Sequence, residues 1–349
     1  MAVGRVQTLM KVLVTGGAGY IGSHACKALA AAGHLPISVD NLVYGHRQAV
    51  RWGPLEVADI GDGERMDHIF AAYRPDAVMH FAAYAYVGES VTDPAKYYRN
   101  NVSGSLSLLS AMLRHGVGTL VFSSTCAIYG NPQSIPITEG HPQAPINPYG
   151  ATKQMVERML VDFGVAHGLR SSALRYFNAA GADPDGDIGE AHDPETHLIP
   201  LVLEAAAGLR PDIQVFGDDY DTADGTCIRD YVHVTDLADA HVRALDRLSS
   251  AQPGLTAFNL GNGLGFSVRE VIAAAERVTG RKVPVVVAPR RAGDPPALVG
   301  DATRARRDLG WQPKHADIDV ILGTAWRWLQ QHRALASDIQ LHATRAESA

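Results

Sequence analysis

Two side chains of the segment Tyr149-Gly-Ala-Thr-Lys153 could move a proton together. A phenol and an ammonium four residues apart lie on one face of a helix, one turn from each other. Pro148, directly before the phenol, suits the start of such a helix. A nearby ammonium stabilises a phenolate, so we expect the pKa of Tyr149 to fall below its usual value of about 10. Tyr149 is therefore the candidate base, and Lys153 is the group that tunes it.

Hydroxyl groups follow a strand-like segment, Leu120–Ser123, that precedes this helix. Ligands bind at the carboxyl ends of the strands in open α/β sheets. A hydroxyl at this strand end can therefore form a hydrogen bond with a reacting oxygen. We expect Thr125 to do so, with Ser124 as the second candidate.

A glycine-rich turn follows the first strand-like segment and reads Thr15-Gly16-Gly17-Ala18-Gly19-Tyr20-Ile21-Gly22. Glycines at this spacing let the chain turn sharply and let the backbone approach a pyrophosphate. The helix that starts there presents free amides and the positive end of its dipole. The turn therefore predicts a dinucleotide-binding site.

Acidic residues end the next two strand-like segments. Asp40 ends the second segment, where a carboxylate can accept from both ribose hydroxyls and would repel a 2′-phosphate. We therefore expect NAD rather than NADP. Asp59 and Ile60 follow the third segment, from which a side chain can reach the adenine amine.

Alternating strands and helices must position these residues, and such alternation predicts a parallel sheet covered by helices on both faces. We expect an α/β fold, with a Rossmann-type doubly wound parallel sheet in residues 1–180 that binds NAD. Residues 181–335 are expected to form a smaller C-terminal α/β lobe that mainly binds the substrate, and residues 336–349 a polar tail. The predicted strands are Lys11–Thr15, Pro36–Asp40, Leu55–Ala58, Ala77–Phe81, Leu120–Ser123, Ser172–Arg175 and Lys282–Ala288. The predicted helices are Tyr20–Ala32, Pro94–His115, Pro148–His167, Leu198–Leu209, Asp236–Leu248 and Val268–Thr279.

Composition excludes several functional classes. The 349 residues carry a formal net charge of −6 without a basic block, which disfavours a nucleic-acid surface. No apolar run is long enough to predict a membrane span, and residues 1–9 lack the pattern of a signal peptide. The three cysteines, Cys26, Cys126 and Cys227, are too isolated for a disulfide framework or a CxxC metal site. We expect a cytoplasmic enzyme without a metal.

At this point the sequence resembles the UDP-glucose 4-epimerase family of the extended short-chain dehydrogenase/reductases over about residues 11–330. The segments that carry the resemblance are VTGGAGYIGSH (14–24), VDNL (39–42), HFAAYAYVGESV (80–91), NNVSGSL (100–106), FSSTCAIYG (122–130), NPYGATK (147–153), LRYFNAAGA (174–182), HLIPLVL (197–203), GTCIRDYVHVTDLADAH (225–241) and RRAGDPPALVGD (290–301).

The resemblance implies a tightly bound NAD and a UDP-sugar substrate. Tyr149 would act as the base and Lys153 as its partner, and both would also contact the cofactor. The other residues implied to bind NAD are Gly16, Gly19, Tyr20, Ile21, Gly22, Asp40, Asn41, Asp59, Ile60, Phe81, Ala82, Asn100 and Tyr176. The residues implied to contact the UDP-sugar are Thr125, Tyr149, Asn178, His197, Leu198, Phe216, Arg229, Arg291, Asp294 and Leu298.

By this resemblance, the reaction is reversible 4-epimerisation of UDP-glucose and UDP-galactose through a transient 4-keto sugar. A homodimer through a four-helix bundle of the helices at 94–115 and 148–167 is also implied. Ala85, His197 and Leu298 differ from residues found in some family members. The residue at Leu298 varies in size across the family, with larger residues excluding acetylated sugars, so both plain and N-acetylated sugars stay open.

Other functions remain as alternatives. A 4-epimerase of a UDP-pentose, such as xylose to arabinose, or of a UDP-N-acetylhexosamine would use the same catalytic residues. A nucleotide-sugar dehydratase is disfavoured, because Cys126-Ala127-Ile128 offers no acid after Thr125. A reductase that makes a net alcohol and a non-catalytic NAD-binding protein are the remaining classes, and relatives of the second kind lose Tyr149 or Lys153.

Overall fold

The computed structural model describes residues 9–291 and 294–331 as strands and helices that alternate through the first half of the chain. The strands are β1 (Lys11–Thr15), β2 (Leu35–Asp40), β3 (Leu55–Val57), β4 (Ala77–His80), β5 (Thr119–Thr125), β6 (Arg170–Tyr176), β7 (Asn178–Ala180), β8 (Ile213–Phe216), β9 (Ile228–Arg229), β10 (Tyr231–His233), β11 (Gly254–Leu260), β12 (Phe266–Ser267), β13 (Val285–Ala288) and β14 (Ala297–Leu298). The helices are α1 (Tyr20–Ala31), α2 (Gly63–Tyr73), α3 (Val87–Thr92), α4 (Pro94–Tyr97), α5 (Gly104–Arg114), α6 (Pro148–His167), α7 (Leu198–Ala206), α8 (Val234–Leu248), α9 (Val268–Thr279), α10 (Thr303–Leu309) and α11 (318–331).

Seven parallel strands form the central sheet in the order β3-β2-β1-β4-β5-β6-β11. Both faces are buried, as β1 illustrates. Val12 and Val14 point into a cluster that includes residues of α1 and α8, whereas Leu13 points into a second cluster with residues of α2, α5 and α6. The order reverses between β1 and β4, and the carboxyl ends of the strands at such a reversal form the crevice that binds ligands.

Some elements of the second half of the chain pack with the central sheet, and the others form a separate, smaller group. β11 and α8 complete the central sheet and its helical cover, since β11 pairs with β6 and α8 packs on α1. Small sheets of β8 with β13, and of β9 with β12 and β14, lie beside a third core that includes residues of α7 and α9. Helix α8 and strand β11 therefore pack with the central sheet although they follow residue 180, so segments on both sides of the expected boundary contribute to the larger unit.

Most of the expected elements are confirmed, and two helices, α6 and α9, have the predicted bounds. The expected helix at 94–115 consists of α4, a wide π-helical turn at Tyr98–Ser103, and α5. The sequence analysis missed α2, α3, α10 and α11, and the strands β7, β8, β9, β10, β11, β12 and β14. The predicted tail, residues 336–349, lies outside the described residues. Among the helices of the described ranges, none is both long enough and apolar enough to cross a membrane.

Candidate functional site

The glycine turn connects β1 to α1 and leaves its phosphate-binding face open. A Cβ added to Gly16 would lie 2.7 Å from the amide nitrogen of Ala82. A Cβ added to Gly22 would collide with the carbonyl oxygen of Gly16. At Gly19 it would meet only the Gly16 carbonyl oxygen, at 3.3 Å. Gly19 has no side chain with which to cap α1, so the first amides of α1, including those of Tyr20 and Ile21, have no partner within the helix. This cradle fits a dinucleotide pyrophosphate.

Polar side chains at the ends of β2 and β3 lie next to each other. Asp40 is buried, and its carboxylate accepts hydrogen bonds from the amides of Ala18, at 3.0 Å, and Leu42, at 2.8 Å. Burial raises the pKa of Asp40, while these two amides act in the opposite direction. The Asn41 amide donates to Asp59 at 3.0 Å, so the residues predicted for the adenosine end are contiguous.

The side chains of Ile60 and Tyr20 are held by contacts with other parts of the chain. Ile60 is buried against the helix that starts at Gly104, where an added Cβ would contact its side chain. The Tyr20 hydroxyl donates to the carbonyl of Gly181 at 2.6 Å and ties the start of α1 to the loop after β7. Only the backbone of Tyr20 is therefore free to contact a phosphate.

Tyr149, Lys153 and Thr125 meet where α6 passes the carboxyl end of β5. Asn147 caps α6 by accepting from the Gly150 amide at 2.8 Å, and Pro148 occupies its first turn. The Lys153 Nζ atom lies 5.9 Å from the centroid of the Tyr149 ring and donates to the carbonyl of Ser123 at 2.8 Å. The arrangement brings a phenol, a hydroxyl and an amine together at the crevice.

The pKa of Tyr149 is raised in this structure, contrary to the expected lowering. Burial is the main cause, and Tyr176 adds to it, whereas a hydrogen bond with Thr125 acts in the opposite direction. Burial also lowers the pKa of Lys153 to about 7, although Glu157 partly opposes this. The prediction was wrong because it counted the charge of Lys153 and left out the desolvation of both groups.

The hydroxyl of Ser124 is directed away from this centre, which argues against Ser124 as a catalytic residue. Successive side chains of a strand point to opposite faces, and Thr125 and Ser124 are neighbours in β5. The Ser124 hydroxyl donates to Glu157 at 2.6 Å, within a buried network in which Arg175 forms an ion pair with the same carboxylate at 2.5 Å. Ser124 therefore has a structural role.

The residues expected near the nicotinamide lie around the ends of β4 and β6. Phe81 and Ala82 follow β4, and both amides donate to the Thr15 carbonyl. The Tyr176 hydroxyl is hydrogen-bonded to Ser123 at 2.5 Å. Asn100 lies in the π-helical turn and donates from its side-chain amide to the neighbouring asparagine, Asn101, at 2.9 Å.

The UDP-sugar candidates Arg229, Asp294 and Leu298 form one group in the second half of the chain. Strand β14 pairs with β9 and places Leu298 opposite Arg229. The Arg229 guanidinium donates to Asp294 at 2.7 Å and to the Pro295 carbonyl at 3.0 Å. Leu298 packs against a buried cluster that contains Cys126, so this group adjoins the end of β5.

The remaining substrate candidates lie at other element ends. The Arg291 guanidinium lies 3.9 Å from the centroid of the Phe216 ring, at the end of β8. Asn178 begins β7 directly after Phe177, a member of the cluster against which Leu298 packs. His197 precedes Leu198, the first residue of α7, and its Nδ1 atom is directed at Glu190 and Glu195, at 2.9 Å from each carboxylate.

Sequence reasoning missed Ser123, which contacts both Lys153 and Tyr176. It also missed the buried pair of Glu157 and Arg175. The residues in each of these contacts are at least 18 positions apart in the sequence, the separation of Glu157 and Arg175. A short sequence motif cannot reveal contacts over such a separation. A carboxylate on the same face of α6 as Lys153, four residues on, was the one readable hint.

Comparisons with known proteins agree with this geometry. Residues 12–261 match the model of a family described as the NAD dependent epimerase/dehydratase family. A UDP-glucose 4-epimerase of Rhizobium meliloti (strain 1021) is 55% identical over 317 residues, which cover 91% of this chain and 96% of the relative. The crystal structure of UDP-glucose 4-epimerase from Brucella ovis in complex with NAD is 56% identical, with a TM-score of 0.89 over 91% of this chain and 98% of that one.

A further solved structure is UDP-glucose-4-epimerase from Stenotrophomonas maltophila with bound NAD and formylated UDP-arabinopyranose. It is 43% identical, with a TM-score of 0.90 over 93% of this chain and 99% of that one.

Proposed function

The chain belongs to the NAD dependent epimerase/dehydratase family, and from that premise we propose that it is an isomerase that interconverts UDP-glucose and UDP-galactose through a transient 4-keto sugar. Similar proteins of known structure bind NAD, which supports NAD as the cofactor. The observation that carries the proposal is the meeting of Tyr149, Thr125 and Lys153 at the end of β5, two strands from the glycine turn at the end of β1.

Tyr149 removes the proton of the sugar 4-hydroxyl and later returns it. Thr125 positions the reacting oxygen, because its hydroxyl adjoins the phenol at the end of β5. The Lys153 amine lies 5.9 Å from the centroid of the Tyr149 ring and is held by the Ser123 carbonyl at 2.8 Å. When bound in the glycine cradle, NAD supplies the oxidation and the re-reduction at C4 and leaves the cycle unchanged.

The substrate has a nucleotide part that must stay fixed while its sugar presents two faces. Arg229 and Arg291 supply guanidinium groups, which suit the diphosphate because they bind phosphate oxygens bidentately. Arg229 is already oriented by Asp294 and by the Pro295 carbonyl, so little side-chain entropy is lost when it binds. Such pre-orientation supports firm binding of the nucleotide.

UDP-pentoses and UDP-N-acetylhexosamines are the second candidates. The pentose candidate is favoured by the formylated UDP-arabinopyranose bound to the Stenotrophomonas maltophila enzyme. For acetylated sugars the relevant residue is Leu298, which packs beside Cys126 at the end of β5. A leucine can change rotamer, whereas a larger side chain would fill the space that an acetamido group needs.

A homodimer through a four-helix bundle is part of the proposal. Helices α5 and α6 pack on each other and also carry apolar side chains on exposed positions. Such a stripe on two adjacent helices suits burial against its own copy around a two-fold axis. The exposed apolar residues are Leu106, Leu113, Met155, Val161 and Val165. We also propose a cytoplasmic location, which the three free cysteines support.

Incubation of the purified chain with single UDP-sugars and chromatography of the products tests the proposal. We expect UDP-glucose and UDP-galactose to interconvert to the same equilibrium mixture from either side, without net consumption of added NADH. Faster conversion of UDP-xylose or UDP-N-acetylglucosamine would transfer the assignment to that sugar. Stoichiometric loss of NADH would identify a reductase instead, and an absence of conversion with every sugar would contradict the assignment as an epimerase.

A further inference from the structure

Four potential metal ligands converge in the loop that leads into α7. Glu190, His192, Glu195 and His197 each direct one ligand atom to a common point, with all four atoms within 4.8 Å of one another. The Nδ1 atoms of both histidines lie near the Glu190 carboxylate, at 3.0 Å for His192 and 2.9 Å for His197. Glu195 approaches the same two atoms, at 3.8 Å and 2.9 Å.

The four ligand atoms are close enough to one another to share a single ion. With bonds of about 2.0–2.1 Å, neighbouring ligand atoms of a tetrahedral Zn²⁺ site lie about 3.4 Å apart. Three of the four nitrogen–oxygen distances, at 2.9–3.0 Å, are those of hydrogen bonds and would lengthen slightly around an ion; the fourth, from the other Glu195 oxygen to His192, is 3.8 Å. Imidazole nitrogen and carboxylate oxygen are both established Zn²⁺ ligands. The cluster therefore has the composition and size of a four-ligand zinc site.

Among the described residues, no lysine or arginine forms an ion pair with these two buried carboxylates; Glu195 also accepts hydrogen bonds from the backbone amides of Thr196 and His197. The Glu190 and Glu195 side chains are only 7% and 10% exposed. Within the described residues, the ion pairs of both carboxylates are to His192 and His197 alone.

A second carboxylate cluster a few residues earlier shows the contrast. Asp183, Asp185 and Asp187 surround the Lys27 Nζ atom at 2.7, 2.7 and 2.9 Å. A lysine ammonium therefore occupies the centre of that group, and it needs no other cation.

We propose that Glu190, His192, Glu195 and His197 bind one divalent transition-metal ion of the Zn²⁺ type. Four protein ligands complete a tetrahedral shell, which characterises a structural rather than a catalytic ion. This site goes beyond the proposed function, and it departs from the expectation of a protein without a metal. The spacing Glu-x-His-x-x-Glu-x-His was readable in the sequence.

The ion would fasten a loop that borders the cofactor cradle. The His46 ring donates to the Ala191 carbonyl at 2.7 Å, and the Tyr86 hydroxyl donates to the Pro194 carbonyl at 3.0 Å. His192 itself packs edge-to-face on Tyr20, the first residue of α1, with ring centroids 6.1 Å apart. Binding of the ion would therefore stabilise the start of α7 and the loop that borders the glycine turn.

Metal analysis of the whole protein tests the proposal. The chain is expressed without a histidine tag in medium supplemented with Zn²⁺, dialysed against metal-free buffer and analysed by mass spectrometry for metals. We expect about one Zn²⁺ per chain. After chelation and addition of Co²⁺, we expect the intense visible absorption of tetrahedral Co²⁺, which octahedral Co²⁺ lacks. A chain that retains no Zn²⁺ and gives no tetrahedral Co²⁺ spectrum contradicts the proposal.

Variants locate the ion. His192→Ala and Glu190→Gln should reduce the Zn²⁺ content at least tenfold and abolish the Co²⁺ spectrum. Asp185→Asn, in the same loop but in the cluster filled by Lys27, is the matched control and should retain both signals. Equal metal content in His192→Ala and wild type would overturn the assignment. Should a variant fail to fold, the Co²⁺ spectrum of the wild-type protein still decides, and neither readout depends on epimerase activity.

Discussion

The Nζ atom of Lys153 lies 5.9 Å from the centroid of the Tyr149 ring, one helical turn along the same face of α6. It donates to a main-chain carbonyl, and the Thr125 hydroxyl is the group that partly opposes the rise in the pKa of the phenol caused by burial. Thr125 is therefore the hydroxyl that directly adjoins the phenol, while Lys153 is held by the main chain of β5.

Replacement of Tyr149 by phenylalanine removes only the proton-carrying oxygen. We expect Tyr149→Phe to lower kcat with UDP-galactose by at least about 100-fold, the usual contribution of a general base. Binding of UDP, measured by calorimetry, should stay within about threefold of wild type. Normal turnover in this variant would remove Tyr149 from the mechanism.

Thr125 and Ser124 provide a matched pair of adjacent hydroxyls on opposite faces of β5. Thr125→Val keeps the shape and deletes the hydrogen bond, and we expect kcat to fall about tenfold or more. Ser124→Ala should keep kcat within about threefold while lowering the free energy of unfolding by about 1 kcal/mol, because it loses its bond to Glu157. A larger loss of kcat in Ser124→Ala than in Thr125→Val would reverse the two roles.

Local spacing identified the residues of β5 but not which of them faces the crevice. The pattern placed a strand near Leu120–Ser123, and the structure extends it to Thr119–Thr125. The register of side chains follows from pairing with β4 and β6, which are distant in the sequence. A one-residue change of register exchanges the two faces, so the local pattern kept Ser124 as a second candidate beside Thr125.

Asp40 is predicted to select the dinucleotide. Both of its oxygens accept main-chain amides, which fixes the carboxylate at the end of β2. In Asp40→Ala we expect the preference for NAD over NADP to fall at least tenfold, because the charge that repels a 2′-phosphate is lost. Fluorescence titration of cofactor-free protein measures both affinities. Asp59→Asn serves as the control, and an unchanged preference in Asp40→Ala would contradict the role.

The buried pair of Glu157 and Arg175 should be costly to break on one side. We expect Glu157→Gln to lower the free energy of unfolding by about 3–5 kcal/mol, because Arg175 is left charged and without its carboxylate. Urea denaturation measures the loss. The double variant Glu157→Met/Arg175→Met removes both charges and should recover part of it. A double variant less stable than Glu157→Gln alone would show that the pair itself is strongly stabilising.

Four buried histidines should make the fold sensitive to acid. Burial lowers the pKa of His80 and His233 to about 3, and the pKa of His24 and His241 to about 4. Between pH 6.5 and 4 the unfolded chain therefore binds more protons than the folded chain. Stability is complete above pH 6.5 and falls with decreasing pH, by up to about 1.4 kcal/mol per pH unit for each histidine.

His241→Met isolates one of these contributions. The Nε2 atom of His241 is buried without a hydrogen-bond partner among the described residues. Replacing the imidazole therefore removes a titrating group with only a small change in the free energy of unfolding at pH 7. Urea denaturation at pH 7 and pH 5 should show a smaller drop in stability for His241→Met than for wild type. Equal drops in the two proteins would exclude His241 as a contributor.

The sequence analysis was most accurate where a signal is local. The glycine turn, the phenol–ammonium spacing and the bounds of α6 and α9 depend on neighbouring residues. The position of β11 depends on its pairing with β6, and the pKa of Tyr149 depends on how completely the surrounding elements exclude water. Such properties belong to the assembled fold and leave no short pattern in the chain.

The return of the chain to the central sheet at β11 has a consequence for biosynthesis. When the first 180 residues have left the ribosome, β6 still lacks its outer neighbour and α1 still lacks α8. The nucleotide-binding half is then an incomplete nascent chain with an open strand edge, which other chains could pair with. Folding of this half must therefore wait for translation of about 80 further residues, through Leu260.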